Sequence, residues 1–507
     1  MKRSRADTLL WVGLGGVILA GAGLRLAFML VSHPHVDEYS TIWAAQQILR
    51  KGVPLLPSGF VYLQGVLFTY LDAAFIGLFG FSEGIARLPG LLCSVAALPL
   101  LYWWGRRAFG PWAGLIAATL GALEVSSIIW GGRARMYALQ EPLVVLALYA
   151  FYRGYVEQQS AGDRDGALWR WACAAAFIAA ILAQTVTVLL APAVALSLFV
   201  WRGRLGRRWS VWLPLAGVAV GLGLALALNR LGGPVSETAG RGFVDPALPW
   251  RLKPGVFFFE YFWVWPDILR TAAFIAAFVW LGWTLRRAGG AGELDRALTY
   301  LLVCVAGALL PMIFLVSESW QRPRYVMMLL PVMDLLTAGV LGRLVARVGR
   351  NRGTASALSF AAWLALWPAF APAAIGAIGP TEPAYDQAFR YVQAHWQPGD
   401  AIIGPLPSVS AVYLGRCDGY ALQNGFEEYL FTSGSQAVDR WTGAPLIDSA
   451  AALESRFPAG RRVWWVVDDV RRDQRYNTDL EDYLATRMAG VYRTAQVTVY
   501  LRASDTR

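Results

Sequence analysis

Charged residues and histidines are scarce in this sequence, and their scarcity excludes most classes of soluble protein. Of its 507 residues, 16% are charged, three are histidine and 56% are hydrophobic. Soluble domains are usually about a quarter charged, so this composition is typical of a chain that crosses a membrane several times. The four cysteines are scattered, without metal-ligand spacing or an evident disulfide pair.

The net charge of +11 does not indicate nucleic-acid binding. Because lysines and arginines lie in short segments between apolar runs, they follow the positive-inside rule of membrane proteins. Apolar runs of about 20 residues, enough to cross a hydrocarbon core of about 30 Å, recur from Leu9 to Ile378. The first is too long for a cleaved signal and lacks a small-residue cleavage pattern, so we interpret it as a signal anchor. The sequence predicts a multi-pass protein of the inner or plasma membrane.

The basic residues of the loops predict the topology. With the N-terminus inside, the first crossing places residues 33–40 outside, and Arg106 and Arg107 must then lie inside. A further crossing over residues 61–80 would reverse them, so we predict an outer interfacial helix there. We predict about eleven transmembrane helices and an outer C-terminus, with crossings over residues 9–31, 85–105, 112–130, 138–155, 171–201 (a hairpin of two), 211–230, 268–285, 297–316, 324–342 and 355–378.

After Gly379 the composition becomes that of a soluble domain. YDQAFRYVQAHW predicts an amphipathic helix and AIIGPL a buried strand. RRVWWVVDD and QVTVYLRA predict further strands, with the helix DLEDYLATRM between them. We therefore predict two domains, an α-helical membrane domain over residues 1–379 and a small extracytoplasmic α/β domain over residues 380–507. No catalytic constellation is visible in the second.

Three carboxylates stand at predicted membrane boundaries. Asp37 and Glu38 follow the first crossing directly, where ionised side chains are costly unless they are paired or used. A solvated loop pair is one interpretation, but the following YSTIWAAQQIL has the spacing of an amphipathic helix that would hold the pair at the bilayer surface. Glu141 lies inside the start of a predicted crossing, which favours a functional role. His33 and His35 form an HxH pair, a weak metal signal.

Arginines and tyrosines share the predicted outer face with these acids. Arg133 and Arg135 run against the usual charge bias of the translocated side, with lipid headgroup contact as the alternative explanation. An acid at a span boundary can deprotonate an acceptor hydroxyl, and an arginine fork can hold a phosphate. This combination predicts transfer of a group from a lipid phosphate. Further residues on this face are Asp72, Tyr137, Glu260, Tyr261, Glu318, Arg322, Arg324 and Tyr325, although Arg322 and Arg324 also suit an anchoring role.

A series of motifs in fixed order resembles a known family. The Asp-Glu pair is followed by FGFSEGIARLPGLL, YWWGRRAFGPWAGLIAA, RARMYALQEPL and, more weakly, RPRYVMMLLP. Their order and spacing resemble the bacterial family 39 and family 83 glycosyltransferases of the GT-C fold. This group includes the aminoarabinose transferase of lipid A and the protein O-mannosyltransferases. The resemblance is strongest over residues 32–160.

The resemblance implies a polyprenyl-phosphate-linked sugar as donor and transfer at the extracytoplasmic face. Asp37 matches the family's catalytic acid, and Glu141 falls where the family usually has a second acid before Pro-Leu. The two juxtamembrane helices of the family have counterparts at residues 37–50 and 61–80. The expected reaction is a single, inverting displacement in which Asp37 acts as general base on the acceptor hydroxyl, or at least orients it. Glu38 and Glu141 are further candidate catalytic residues.

One stretch departs from the family pattern. Many relatives carry acid-Lys-Pro-Pro-Leu before the second juxtamembrane helix, and here residues 63–67 read LQGVL. A lysine toward the donor phosphate is therefore missing. Either the donor differs, or arginines replace the lysine, with Tyr137 and Tyr325 beside them and with a divalent cation as a further source of charge. The arginine candidates are Arg133, Arg135, Arg322 and Arg324.

The sequence leaves the substrates and two other functional classes open. The acceptor is a lipid, a glycan or a protein, and the transferred group is a hexose or a pentose. A lipid or small-molecule transporter or flippase is the first alternative, but its sites should lie near the bilayer midplane at broken helices in paired halves. A receptor or scaffold that acts through the C-terminal domain is the second.

Overall fold

The computed structural model is mostly helical and describes residues 5–157, 164–201, 209–231, 267–287, 295–314, 316, 323–421, 429–433, 436–469 and 476–503. The predictions made for Glu260, Tyr261, Glu318 and Arg322 fall outside these residues.

Helices make up most of the described residues before residue 380. In chain order they are α1 (Arg5–Val31), α2 (Val36–Lys51), α3 (Val66–Phe79), α4 (Glu83–Phe109), α5 (Pro111–Leu123), α6 (Val125–Gly131), α7 (Tyr137–Phe151), α8 (Arg164–Ala183), α9 (Ala191–Trp201), α10 (Leu213–Leu231), α11 (Asp267–Arg287), α12 (Arg296–Phe314), α13 (Pro323–Val326), α14 (Leu330–Val348) and α15 (Arg352–Gly376). A π-helical turn, Tyr152–Val156, extends α7, and a 3-10 turn, Thr185–Leu190, precedes α9.

Seven helices of the described residues are long and apolar enough to cross a membrane, or eight if the bent pair α5 and α6 is one span. The predicted multi-pass helical architecture is therefore confirmed. The remaining predicted crossings correspond to α7, α9 and α11, whose helical or apolar stretches are shorter. The predicted hairpin over residues 171–201 does break at its middle, where Gln184 is extended between α8 and the 3-10 turn.

Two helices before α4 have the places predicted for juxtamembrane helices. The helix predicted at residues 37–50 is α2, which ends at Gly52 in the left-handed region. Within the interfacial stretch predicted at residues 61–80, α3 has 14 residues. At 1.5 Å per residue it is about 21 Å long, too short for a hydrocarbon core of about 30 Å. The length of α3 thus agrees with an interfacial helix and not with a crossing.

The C-terminal residues form the predicted α/β structure. Its elements are α16 (Tyr385–Ala394), β1 (Ala401–Gly404), α17 (Pro407–Leu414), β2 (Gly419–Ala421), β3 (Leu430–Ser433), β4 (Gln436–Asp439), β5 (Leu446–Ile447), α18 (Ala450–Arg456), β6 (Val463–Asp468), α19 (Thr478–Arg487), β7 (Ala489–Arg493) and β8 (Val497–Arg502).

The three predicted strands and two predicted helices of this region are confirmed as β1, β6, β8, α16 and α19. Six strands form one sheet in the order β5-β2-β1-β6-β8-β7. The first four strands of this order are parallel, whereas β8 is antiparallel to both β6 and β7. All six residues of β6 are buried, which explains the apolar run VWWVV.

Contacts between residues divide the chain into two compact units. The first, which we call the helical unit, contains the described residues up to Leu30, from Leu88 to Ala227, and from 267 to Ile378. The second, the mixed unit, contains Val31–Arg87 and the described residues from Gly379 onward, with residues 228–231. The division of the chain at residue 379 stays a prediction. In the two units defined by contacts, Val31–Arg87 groups with the residues from Gly379 onward.

Specific bonds within the mixed unit explain that grouping. The His33 Nδ1 atom lies 2.8 Å from Asp386 Oδ1 of α16. Trp43 Nε1 of α2 donates to the carbonyl oxygen of Trp441 at 3.1 Å. At the start of α4, Glu83 Oε1 accepts hydrogen bonds from Arg390 and Tyr413. The partners in each pair lie far apart in the sequence, so hydrophobic periodicity and the charge of the loops could not predict them.

Candidate active site

The first group of predicted site residues lies at the N-terminus of α2, in the mixed unit. His35 is the N-cap, and its Nδ1 atom accepts a hydrogen bond from the backbone N–H of Asp37 at 3.1 Å. In return, the His35 N–H donates to Glu38 Oε1 at 2.8 Å. This is a capping box in which histidine replaces the usual serine or threonine. It holds both carboxylates in the first helical turn, where the helix dipole favours negative charge.

Glu38 is the buried member of the acidic pair. Its Oε2 and Oε1 atoms accept from Arg87 Nε at 2.7 Å and from Arg87 Nη2 at 2.9 Å. Arg87 Nη1 also donates to the carbonyl oxygen of Ser32 at 2.8 Å. Neither charged side chain is more than 2% exposed. The two-pronged bond ties the start of α4 to the start of α2 and to the residue that follows α1.

Asp37 is the accessible member of the pair. Its side chain is 33% exposed, and its Oδ2 atom lies 3.8 Å from His35 Nδ1. Two neighbouring acids of similar chemistry therefore have different environments, because successive helical residues point about 100° apart. Of the two, Asp37 has the side chain that a substrate can reach from solvent.

Asp72 is a third carboxylate of the mixed unit, on the buried face of α3. Among the described residues, neither of its carboxyl oxygens has a hydrogen-bond partner. Burial, and secondarily the negative charge of Glu38, raise the pKa of Asp72 well above its usual range. The folded protein therefore favours the neutral acid.

Replacing Asp72 by Asn should change how stability depends on pH. Because the folded-state pKa is raised, the wild-type stability is fully present below the unfolded pKa, about 3.9, and falls as pH rises through the raised folded value. Asn cannot ionise, so the thermal midpoint of Asp72→Asn should exceed that of the wild type increasingly from about pH 4 upward. Thermal denaturation in detergent at several pH values measures this, with exposed Asp479→Asn of α19 as control. A constant difference at all pH values would contradict it.

The second group of predicted residues lies in the helical unit, around the loop between α6 and α7. Arg133 and Arg135 are only 5% and 4% exposed. The Arg133 Cζ atom is 4.7 Å from the ring centroid of Trp130 and 5.7 Å from that of Phe28. The Arg135 Cζ atom is 6.0 Å from the ring of Tyr137. Aromatic ring faces attract these cations, which explains why both arginine side chains can be buried.

Aromatic contacts extend this group to residues far along the chain. The ring of Tyr137 lies 4.8 Å from Trp130 and 6.5 Å from Tyr325. The Arg324 Cζ atom is in turn 5.3 Å from the Tyr325 ring. The structure thus brings five predicted site residues into one cluster, which we call the arginine–tyrosine cluster: Arg133, Arg135, Tyr137, Arg324 and Tyr325.

Glu141 belongs to a buried polar network of the same unit. Its side chain is 2% exposed, and its Oε1 atom accepts from Ser127 Oγ of α6 at 3.2 Å. Arg25 of α1, which is fully buried, attracts Glu141 and Glu124 electrostatically. Glu141 therefore has a structural partner in α6, besides the functional role predicted for it.

Sequence reasoning missed the other charged members of this network. Arg270 of α11 forms ion pairs with Glu124 and with Asp334, the latter at 2.7 Å between Nε and Oδ1. Glu124 stands at the junction of α5 and α6, which bend by 60° there. A charge inside an apolar run was the available signal for Arg25 and Arg270.

In the part of the chain that the structure describes, no three His, Cys, Asp or Glu side chains come together so that they could hold a metal ion. His33, half of the HxH pair, instead bonds Asp386, and His35 caps α2.

This chain is similar to known proteins in sequence over part of its length and in structure over nearly all of it. Residues 64–228 match the family model described as dolichyl-phosphate-mannose-protein mannosyltransferase. ArnT from Cupriavidus metallidurans, bound to undecaprenyl phosphate, is similar in structure with a TM-score of 0.67 and 15% identity, over 99% of each chain. The Archaeoglobus fulgidus oligosaccharyltransferase tethered to an acceptor peptide gives a TM-score of 0.56 at 12% identity, over 98% of this chain and 74% of that one. No curated protein matches significantly in sequence.

These similarities confirm the predicted resemblance at the level of fold. The chain has the GT-C fold, with apolar helices of a multi-pass membrane protein and a small C-terminal sheet. At these identities, the solved structures do not assign roles to individual residues. Of the residues predicted from sequence, Asp37 and Glu38 belong to the mixed unit, and Glu141 and the arginine–tyrosine cluster belong to the helical unit.

Proposed function

Because the chain has the GT-C fold, we propose that it is a membrane glycosyltransferase that moves a sugar from a polyprenyl-phosphate donor to an acceptor at the extracytoplasmic face. The observation that carries this proposal is the asymmetry of the acidic pair. A buried ion pair holds Glu38, and the neighbouring Asp37 is presented at a helix N-terminus with a third of its side chain exposed.

In the proposed reaction, Asp37 is the general base. The acceptor oxygen attacks the anomeric carbon of the sugar from the face opposite the phosphate, and its proton passes to the Asp37 carboxylate. The bond between the anomeric carbon and the phosphate oxygen breaks, and its electron pair leaves with polyprenyl phosphate. A single displacement of this kind inverts the sugar's configuration. Glu38 and Arg87 would act as positioning residues that hold α2, and therefore Asp37, in place.

The arginine–tyrosine cluster is the proposed donor-phosphate site. Arginine forks match phosphate geometry and would stabilise the negative charge that grows on the leaving group. The stretch LQGVL at residues 63–67 lacks the lysine that the family pattern would supply, and three clustered arginines offer a replacement. The relative that binds undecaprenyl phosphate supports a polyprenyl phosphate as the donor's carrier. Glu141 accepts a hydrogen bond from Ser127 and would thereby help to hold α6, the helix that precedes Arg133 and Arg135.

Replacing Arg133 by Gln should weaken the binding of undecaprenyl phosphate. Loss of a hydrogen bond to a charged group costs about 1.5 to 3 kcal/mol, or about 10- to 100-fold in Kd. Equilibrium binding of radiolabelled undecaprenyl phosphate to the protein in nanodiscs measures it. Arg153→Gln is the matched control, because Arg153 also lies over a tryptophan, Trp169, with its Cζ atom 4.8 Å from the ring. Equal affinities of Arg133→Gln and the wild type would remove the cluster from the donor site.

Transfer itself is tested with the purified protein in vesicles, a panel of radiolabelled polyprenyl-phosphate sugars and membrane extract. Labelled acceptor should form from at least one donor, with the acceptor class identified by its sensitivity to protease, glycosidase or lipid extraction. Supplying the donor to only one leaflet of oriented vesicles tests the proposed face. Movement of polyprenyl phosphate between leaflets without any transfer would instead support the transporter alternative.

A further inference from the structure

Arg25 of α1 is a fully buried residue of the helical unit, and several backbone carbonyl oxygens hold its side chain. Its Nη2 atom donates to the carbonyl oxygen of Gly121 at 3.0 Å, and its Nη1 atom to that of Ala122 at 3.2 Å. Nη1 also reaches the carbonyl oxygen of Gly21 in its own helix at 3.1 Å. An arginine within the membrane is strongly disfavoured unless its N–H donors have partners. The three carbonyl oxygens that accept from Arg25 therefore indicate a specific structural role for this side chain.

The two carbonyls from Gly121 and Ala122 explain why an arginine is needed there. They belong to the last turn of α5, which ends at Leu123 before the 60° bend into α6. The last carbonyls of a helix have no partner within the helix, and a hydrocarbon environment offers no water to replace one. Arg25 satisfies them and also places a positive charge at the negative end of the α5 dipole. It therefore stabilises the bend itself.

A hydrogen-bonded path leads from Arg25 to the other side of the bend. Arg25 Nε donates to Ser94 Oγ of α4 at 2.8 Å. The Ser94 hydroxyl in turn donates to the carbonyl oxygen of Ser127 in α6 at 3.4 Å. Arg25 thus ties both α5 and α6 to α1 and α4, and it holds the two arms of the broken helix at one angle.

The end of α6 at Gly131 is packed against the same anchor, and the segment that follows carries the arginines of the arginine–tyrosine cluster. A Cβ atom added at Gly131 would lie 2.6 Å from Ser94 Oγ and 3.2 Å from Arg25 Nε. One added at Gly90 of α4 would lie 2.5 Å from the carbonyl oxygen of Arg133. These close approaches leave the loop little freedom. Its position is set by α6, and the direction of α6 is set at the bend.

From this path we infer that Arg25 is a positioning residue for the donor-phosphate site, acting through the bend between α5 and α6 on Arg133 and Arg135. This inference rests on the proposed function, because it takes those arginines as the phosphate ligands. Arg25 itself touches neither donor nor acceptor. It fixes the angle at which the short helix α6 delivers the arginine loop.

The test is a double-mutant cycle on the full-length protein in nanodiscs, with undecaprenyl phosphate as the probe. Arg25→Gln should raise the Kd of the folded protein about tenfold, within the range seen when a residue acts on a site without touching the ligand. In the Arg133→Gln background the same change should raise Kd by clearly less than in the wild-type background, because only the part of the effect that acts through Arg135 remains. Arg25→Lys, which keeps the charge and some hydrogen bonds, should restore part of the affinity.

Two further variants separate positioning from simple stability. Arg170→Gln removes another buried arginine of the helical unit, one that bonds the Gly154 carbonyl oxygen at 3.5 Å, and it should lower the thermal midpoint without changing Kd. Ser94→Ala removes the link to α6 with a smaller loss of packing, and it should raise Kd in the same direction as Arg25→Gln even if that variant folds poorly.

The possible outcomes distinguish the two proposals. If Arg133→Gln weakens binding but Arg25→Gln and Ser94→Ala do not, only the role of Arg25 is overturned. If Arg25→Gln weakens binding equally in the wild-type and Arg133→Gln backgrounds, the path through Arg133 is overturned. If Arg133→Gln leaves Kd unchanged, the donor site of the proposed function fails, and the inference about Arg25 falls with it.

Discussion

Replacing Asp37 by Asn is expected to lower the rate of sugar transfer by about 10²- to 10⁴-fold, the usual contribution of general base catalysis. Asn has nearly the same shape but cannot accept the proton of the acceptor hydroxyl. The backbone N–H of residue 37, which bonds His35, is unaffected by the change. The fold should therefore be retained, and the loss should appear in kcat more than in the Kd for undecaprenyl phosphate.

The measurement is transfer by reconstituted vesicles at saturating donor, together with the thermal midpoint of each variant. Asp479→Asn is the matched control, since Asp479 also lies in the first turn of a helix of the mixed unit but is exposed there. It should transfer sugar at the wild-type rate. Retention of near-wild-type transfer by Asp37→Asn would remove Asp37 from the role of general base.

Breaking the buried ion pair between Glu38 and Arg87 is expected to lower the free energy of unfolding strongly. Replacing Arg87 by Met leaves the Glu38 carboxylate buried with its main partner gone, which typically costs about 3 to 5 kcal/mol. The unfolding free energy in mixed micelles, measured by denaturant titration, should fall by that amount. Glu38→Met should have an effect of similar size, because it strands the Arg87 guanidinium in the same way.

The double variant Glu38→Met with Arg87→Met provides the control. It removes both charges, so its loss of stability should be well below the sum of the single losses. If Glu38 acts only by holding α2, this variant should also keep a substantial part of the transfer activity, unlike Asp37→Asn. Additive losses would contradict a direct ion pair. Complete loss of transfer in a well-folded double variant would instead favour a catalytic role for Glu38.

Features that depend on neighbours in sequence were available without a structure. Apolar runs of about 20 residues predicted the crossings, and alternating or buried runs such as VWWVV predicted strands, because both patterns reflect the local period of a helix or strand. The break at Gln184 and the short helix α3 followed from run length and loop charge. The order of motifs indicated the GT-C fold, and the similar structures confirm it.

Features that depend on distant partners needed the folded chain. The separation of Asp37 from Glu38 rests on Arg87, 49 residues further on, and the place of Arg324 beside the loop of Arg133 rests on rings nearly two hundred residues apart. No proline in the sequence predicts the bend between α5 and α6. Arg25, which donates to the carbonyl oxygen of Gly121 at the end of α5, lies in another helix. The electrostatic energy of a buried charge depends on which groups the folded chain packs against it. Composition and periodicity locate such charges along the chain, but only close packing determines which of them are paired and which remain accessible for chemistry.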